Sequence, residues 1–145
     1  MRFLLFDRVT AFEPGRRLEA VKCFSMQDEA LKEHFPRKPL VPGSLVLEAM
    51  LQTTGFIVVR TSGYKVLPLF SMLEDCVLPP SLPPGTLMHV TGELLSSNPK
   101  GSMGRCEARV DGAVVASIGR VLFAHFPTPD EAGLRRMFGV YGDLP

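Results

Sequence analysis

The sequence predicts an α+β domain in which an antiparallel sheet curls around one long, enclosed helix. Three observations lead there. Residues 43–60 hold Leu45, Val46, Leu47, Ala49, Met50, Leu51, Phe56, Ile57, Val58 and Val59, so a helix over this stretch is apolar nearly all round and must be wrapped by protein. Strand-like runs lie on both sides of it, two before and three or four after. Asp111-Gly112 between two such runs is a strong two-residue hairpin signal.

The helix is preceded by a stiff loop. Pro36, Pro39 and Pro42 each fix φ and push the preceding residue out of the helical region. At Gly43 the pattern changes, and about seventeen residues carry the helix roughly 25 Å to Arg60. Interruption by Glu, Gln, Thr and Gly makes it a poor spanning segment.

Before that loop, residues 2–12 read as a strand and Glu13-Pro14-Gly15-Arg16 as a turn. Residues 17–25 return as the pairing strand, and Asp28 to Lys32 suggests one helical turn. After the helix, residues 69–74 read as a short strand that Val77-Leu78 continues past a kink. The proline-rich run 79–85 fits neither a helix nor an inner strand. Strands follow at 86–96, 102–110 and 113–126. Residues 1–126 thus make one domain, and 127–145 a helical tail packed on it or extending from it. Thr128-Pro129-Asp130-Glu131 has the form of a capping box with Thr128 as cap. Leu134, Met137 and Phe138 would pack the tail on the sheet.

A chain of 145 residues is enough for one domain with a sizeable core. Apolar residues are 46% and charged residues 21%, a globular balance. A net charge of +1 points to neither nucleic acid nor an anionic membrane. Cys23, Cys76 and Cys106 are odd in number and lack a CxxC pair, so neither a disulfide framework nor a zinc site is expected, and they read as small hydrophobes. The apolar run after Met1-Arg2 is broken at once by Asp7 and Arg8, which does not make a signal peptide. The expected location is the cytoplasm.

The polar residues of the helix are ordered. Ser44, Glu48 and Gln52 fall at i, i+4 and i+8 and stack on one face. A carboxylate in the second turn of an enclosed helix is costly without a partner or a task. The loop delivers His34 just ahead of it, and Gly43 opens the helix where backbone N–H groups point outward. An imidazole, a carboxylate and a helix N-terminus are the parts needed to remove a proton beside a carbonyl. Ser44 reads as a residue satisfying backbone donors, Gln52 as support for the acid, and His89 and His125 as ordinary strand residues.

His34-Phe35-Pro36, Pro39, Pro42-Gly43, Glu48-Ala49-Met50 and Gln52 together resemble the β-hydroxyacyl-[acyl-carrier-protein] dehydratases, hotdog-fold enzymes of fatty-acid elongation. The fourteen-residue step from His34 to Glu48 is the family's own. Leu4 to Val9 resembles the opening strand, and Asp111 to Ala116 the closing hairpin. The resemblance runs from about Phe3 to Phe126.

It implies a lyase acting on 3-hydroxyacyl thioesters carried by acyl-carrier protein or coenzyme A, with no metal or other cofactor. Carried over by position, His34 is the base at the α-carbon and Glu48 handles the departing hydroxyl. The Gly43 N–H polarises the thioester carbonyl. The Leu40 carbonyl holds the second imidazole nitrogen. The family also implies a homodimer, with His34 of one chain serving Glu48 of the other, and frequent further assembly into hexamers. The acyl chain would lie in a tunnel at the dimer interface.

Three positions depart from the pattern. Arg37 stands where the family usually has glycine, which predicts strain if φ there is positive. Val77-Leu78-Pro79-Pro80 replaces a basic stretch that meets the carrier protein, and Thr86 replaces a frequent acid after Pro84-Gly85. Arg37, Lys38, Arg60 and Lys65 are the basic residues available instead. The alternatives are a hotdog acyl thioesterase using Glu48 to activate water, and a non-catalytic acyl-binding subunit.

Overall fold

A computed structural model describes residues 4–145. Its elements are β1 (Arg8–Glu13), β2 (Arg17–Cys23), α1 (Gly43–Thr61), β3 (Val66–Val77), β4 (Leu87–Asn98), β5 (Gly101–Val110), β6 (Ala113–Pro127) and α2 (Glu131–Phe138), with short 3₁₀ turns at Glu29–Leu31 and Gly139–Tyr141. The strands form one six-stranded sheet in the order β1-β2-β4-β5-β6-β3. All neighbours run antiparallel. This is the α+β hotdog architecture, a sheet wrapped around a central helix.

The tight turns follow the local chemistry. Gly15 closes β1–β2 at φ +71°, and the Arg16 N–H donates to the Glu13 carbonyl at 3.1 Å. Asp111 and Gly112 both take positive φ, +50° and +81°, as the β5–β6 hairpin turn requires. At the β4–β5 turn the Asn98 side chain accepts from the N–H groups of Lys100 and Gly101 at 2.8 and 3.1 Å.

The core is the space between α1 and the concave face of the sheet. Val46, Ala49, Met50 and Ile57 from the helix, with Met88, Ala108 and Val121 from the strands, are fully buried. The helix carries Thr53 and Thr54 into this core, and each hydroxyl donates to the carbonyl one turn back, Ala49 at 2.7 Å and Met50 at 2.9 Å. That bond satisfies a polar group that would otherwise be costly to bury.

Several boundaries differ from the sequence expectation. Among the described residues the first strand begins at Arg8, so residues 4–7 are not part of it, and the expectation for residues 2 and 3 falls outside the described residues. β3 is twelve residues long and starts at Val66, where only a short strand at 69–74, continued by Val77-Leu78, was expected. Pro68 is tolerated because β3 is a sheet edge, where a missing N–H breaks no ladder. The cap of α2 is Asp130, whose side chain accepts from the Gly133 N–H at 2.8 Å. Thr128 is not the cap, and its buried hydroxyl has no hydrogen-bond partner. Arg37 is not among the residues with positive φ, so the expected strain does not arise.

The tail packs back on the domain, but against the helix end more than the sheet. Phe138 stacks on Phe56 of α1 with ring centroids 4.6 Å apart. The Tyr141 ring stacks on Phe6 at 4.4 Å, and its hydroxyl donates to the Phe6 carbonyl at 2.7 Å. Arg135 donates to the Gly63 carbonyl at 2.7 Å and lies over the Tyr64 ring.

Candidate active site

The proline-fixed loop folds back on itself around His34. The Leu40 N–H donates to the His34 carbonyl at 2.9 Å, and His34 Nδ1 lies 3.1 Å from the Leu40 carbonyl oxygen. A carbonyl only accepts, so Nδ1 carries the hydrogen and a neutral ring keeps its lone pair on Nε2. The ring also stacks on Phe35, centroids 4.1 Å apart. Val41 N–H bonds to the Leu82 carbonyl at 2.8 Å, tying the loop to the proline-rich run before β4.

Glu48 is half-buried in the second turn of α1. Its Oε1 accepts from Gln52 Nε2 at 3.1 Å, and Gln52 Oε1 accepts from the Leu5 N–H at 2.9 Å. Gly43 is the first residue of α1, and no side chain caps that end. The expected capping by Ser44 is absent, and Ser44 is exposed. The first-turn donors at Gly43 therefore remain oriented along the helix axis, with Leu78 packing beside the glycine.

Glu48 and Gln52 form the polar end of a cavity of about 310 Å³, a size suited to a small ligand. One helical face supplies Leu51, Gly55, Phe56 and Val59; β3 supplies Leu67 to Phe70, and α2 supplies Leu134, Met137 and Phe138. Its walls are otherwise apolar. His34 is not in those walls, and among the described residues it makes no hydrogen bond to Glu48. One chain thus assembles two half-sites, His34 with Leu40 and Glu48 with Gln52.

The sequence reading passed over the apolar wall. Gly55 was read only as a break in the apolar run, yet it faces Pro68 of β3 and Phe123 of β6, which a methyl there would meet at 3.4 and 3.5 Å, in ordinary contact. The spacing of Leu134, Met137 and Phe138 was the signal for the tail's apolar face; that this face closes a cavity was not in it. His89 is exposed on β4. His125 Nε2 lies 3.0 Å from the Ser102 hydroxyl. Cys106 is buried as expected, but Cys76 is exposed on β3. No group of three or more metal-ligating side chains occurs among the described residues, and no described helix is long and apolar enough to cross a membrane.

Fold and cavity together define a hotdog-fold protein with a carboxylate at one end of an apolar slot. Residues 1–119 match the FabA-like domain model, and the chain belongs to that family. It is 37% identical over 122 residues to the 3-hydroxyacyl-[acyl-carrier-protein] dehydratase FabZ of Thioalkalivibrio sulfidiphilus, covering 79% of this chain and 82% of that one. It is also 37% identical over 117 residues to FabZ of Pseudoalteromonas translucida, covering 79% and 78%. Among solved structures, the fluoroacetyl-CoA thioesterase FlK shares the fold with a TM-score of 0.64, at 14% identity over 88% of this chain and 98% of that one.

Proposed function

We propose that this chain is a hydro-lyase that dehydrates (3R)-3-hydroxyacyl thioesters, carried by acyl-carrier protein, to trans-2-enoyl thioesters in fatty-acid biosynthesis. Membership of the FabA-like family and the dehydratase relatives support the reaction. The observation that carries it in the structure is Glu48, clamped by Gln52 at the polar end of an apolar slot.

The chemistry assigned to each group balances without a cofactor. Nε2 of His34 takes the α-proton while Nδ1–H stays on the Leu40 carbonyl. The electron pair moves toward the thioester, whose oxygen the Gly43 N–H polarises; a donor preorganised in this way supplies about 3–4 kcal/mol. Glu48 gives its proton to the β-hydroxyl, the C–O bond breaks, and water leaves. The proton held by the imidazole then restores the acid through solvent.

The reading pairs His34 of one chain with Glu48 of a second, in a homodimer. Two facts support this. Among the described residues the two are not bonded to each other within a chain, and the outer edge of β3 has no strand partner while it exposes Leu69, Phe70, Met72 and Val77. An exposed apolar edge of this length is a pairing surface.

The test is an elimination assay with a 3-hydroxyacyl thioester of acyl-carrier protein, followed by enoyl absorbance. Appearance of the enoyl product with one water lost supports the reading. Release of free thiol without elimination would assign the chain to the thioesterases instead, and binding without either product would leave an acyl-binding subunit.

A further inference from the structure

The cavity beside Glu48 is walled in part by Leu134, Met137 and Phe138 of α2, a helix that lies beyond residues 1–119 matched by the family model. We propose that Met137, with Leu134 beside it, is the stop that sets how long an acyl chain the site accepts. This rests on the acyl-thioester reading of the site. From Glu48 to Val59 the helix face rises about 16 Å, so the cavity runs lengthwise along α1 from its acid toward the tail.

A second cavity, of about 320 Å³, lies on the other side of the same residues. Leu67, Leu134 and Met137 border both spaces, and the second is otherwise lined by Thr128, Pro129, Asp130 and Gly133. The two are therefore separated by a thin apolar partition and not by the body of the fold. Removing a partition side chain gives a longer acyl chain somewhere to go.

The partition is held rather than loose. The Phe138–Phe56 stack and the Arg135 bond to the Gly63 carbonyl fix α2 on the end of α1, and the Asp130 cap holds the first turn of α2 itself. Met137 is the partition residue that can be changed at least cost to folding, because it is 41% exposed and lies outside both buried clusters.

The experiment compares wild type with Met137→Ala and Met137→Trp, using saturated acyl-pantetheines of increasing length for binding and the matching 3-hydroxyacyl thioesters for turnover. Melting temperature checks that each variant is folded. The alanine variant is expected to move the preferred length upward and the tryptophan variant downward, by about tenfold in relative affinity per methylene at the cut-off. Opposite shifts from one position are not what a merely structural role produces. Turnover with the same length profile in all three proteins would overturn the stop while leaving the dehydratase reading intact. Opposite length shifts in binding, with no elimination at any length, would uphold the stop and remove the dehydratase reading.

Discussion

Gln52 orients Glu48, and the direction of the contact is fixed by the backbone of Leu5. The Leu5 N–H can only donate, so the Gln52 oxygen must face it at 2.9 Å. The Gln52 NH₂ is thereby turned to Glu48 Oε1 at 3.1 Å. One carboxylate oxygen is occupied, and on the proposed reading the other is left for a substrate hydroxyl.

Gln52→Leu keeps roughly the shape but removes both bonds. It leaves the Leu5 donor unsatisfied, at a cost of about 1–3 kcal/mol in stability, and frees Glu48 to rotate. Loss of kcat by up to about 100-fold is expected, since misplacement of a reacting group by an ångström has that effect. Unchanged kcat in a folded Gln52→Leu protein would remove Gln52 from the site.

His34→Ala and Glu48→Gln each remove a proton carrier, and each should lower kcat by about 10²–10⁴-fold. Neither change touches the buried core, so melting temperature should hold. If His34 and Glu48 serve a shared site, mixing the two inactive variants under subunit exchange restores part of the activity, because one mixed pair then carries both groups. Failure to recover activity in verified heterodimers would place the two groups in one chain.

The sheet order leaves β3 at an edge with Phe70 and Met72 about half exposed, at 52% and 48%. Met72→Lys puts a charge on that apolar edge and should dissociate the proposed dimer, as read by sedimentation velocity. The same variant should lose activity in proportion to monomer content. A protein that stays dimeric with Met72→Lys pairs through another surface.

Much of this layout was legible in the residues, and the exceptions have physical reasons. The helix, the hairpin at Asp111-Gly112 and the loop around His34 depend on local chemistry: apolar periodicity, positive φ and fixed proline angles. β3 was read as too short because its ends are set by pairing with β6 from Val66 to Val77, and that pairing is a tertiary fact. The Asp130 cap was displaced from Thr128 by two residues, within the latitude of helix ends. The Gln52 clamp joins residues 47 positions apart, and the cavity wall joins the tail to α1. Neither can be read from spacing along one element.

Alkaline pH should destabilise the fold through one buried acid, Cys106, and one half-buried acid, Tyr141. Burial pushes the Cys106 thiol up to about 12, and burial with Asp7 nearby raises the Tyr141 hydroxyl above its usual value. Unfolded chains release these protons near pH 8.5 and 10, while the folded chain retains them. Stability is therefore complete below about pH 8.5 and falls as pH climbs through the folded values. Denaturant midpoints measured from pH 8 to 11 should decline, less so in Tyr141→Phe. In the native protein, a thiol reagent at neutral pH should modify exposed Cys76 and spare Cys106.

α1 comes down on the sheet at Thr54, which is seated between two glycines. A methyl on Gly92 would lie 2.7 Å from the Thr54 hydroxyl oxygen and 2.9 Å from its Cα; one on Gly104 would lie 3.0 Å from its methyl. The Thr54 hydroxyl cannot swing away without breaking its bond to the Met50 carbonyl at 2.9 Å. Gly92→Ala should therefore cost about 1–3 kcal/mol through overpacking, seen as a lower denaturant midpoint at unchanged slope. Thr54→Ala in the same chain removes the clash with the hydroxyl but not the one with Cα, so rescue should be partial. Full stability in Gly92→Ala alone would mean that the helix can lift off β4 freely, and with it that the depth of the Glu48 slot is not fixed by this contact.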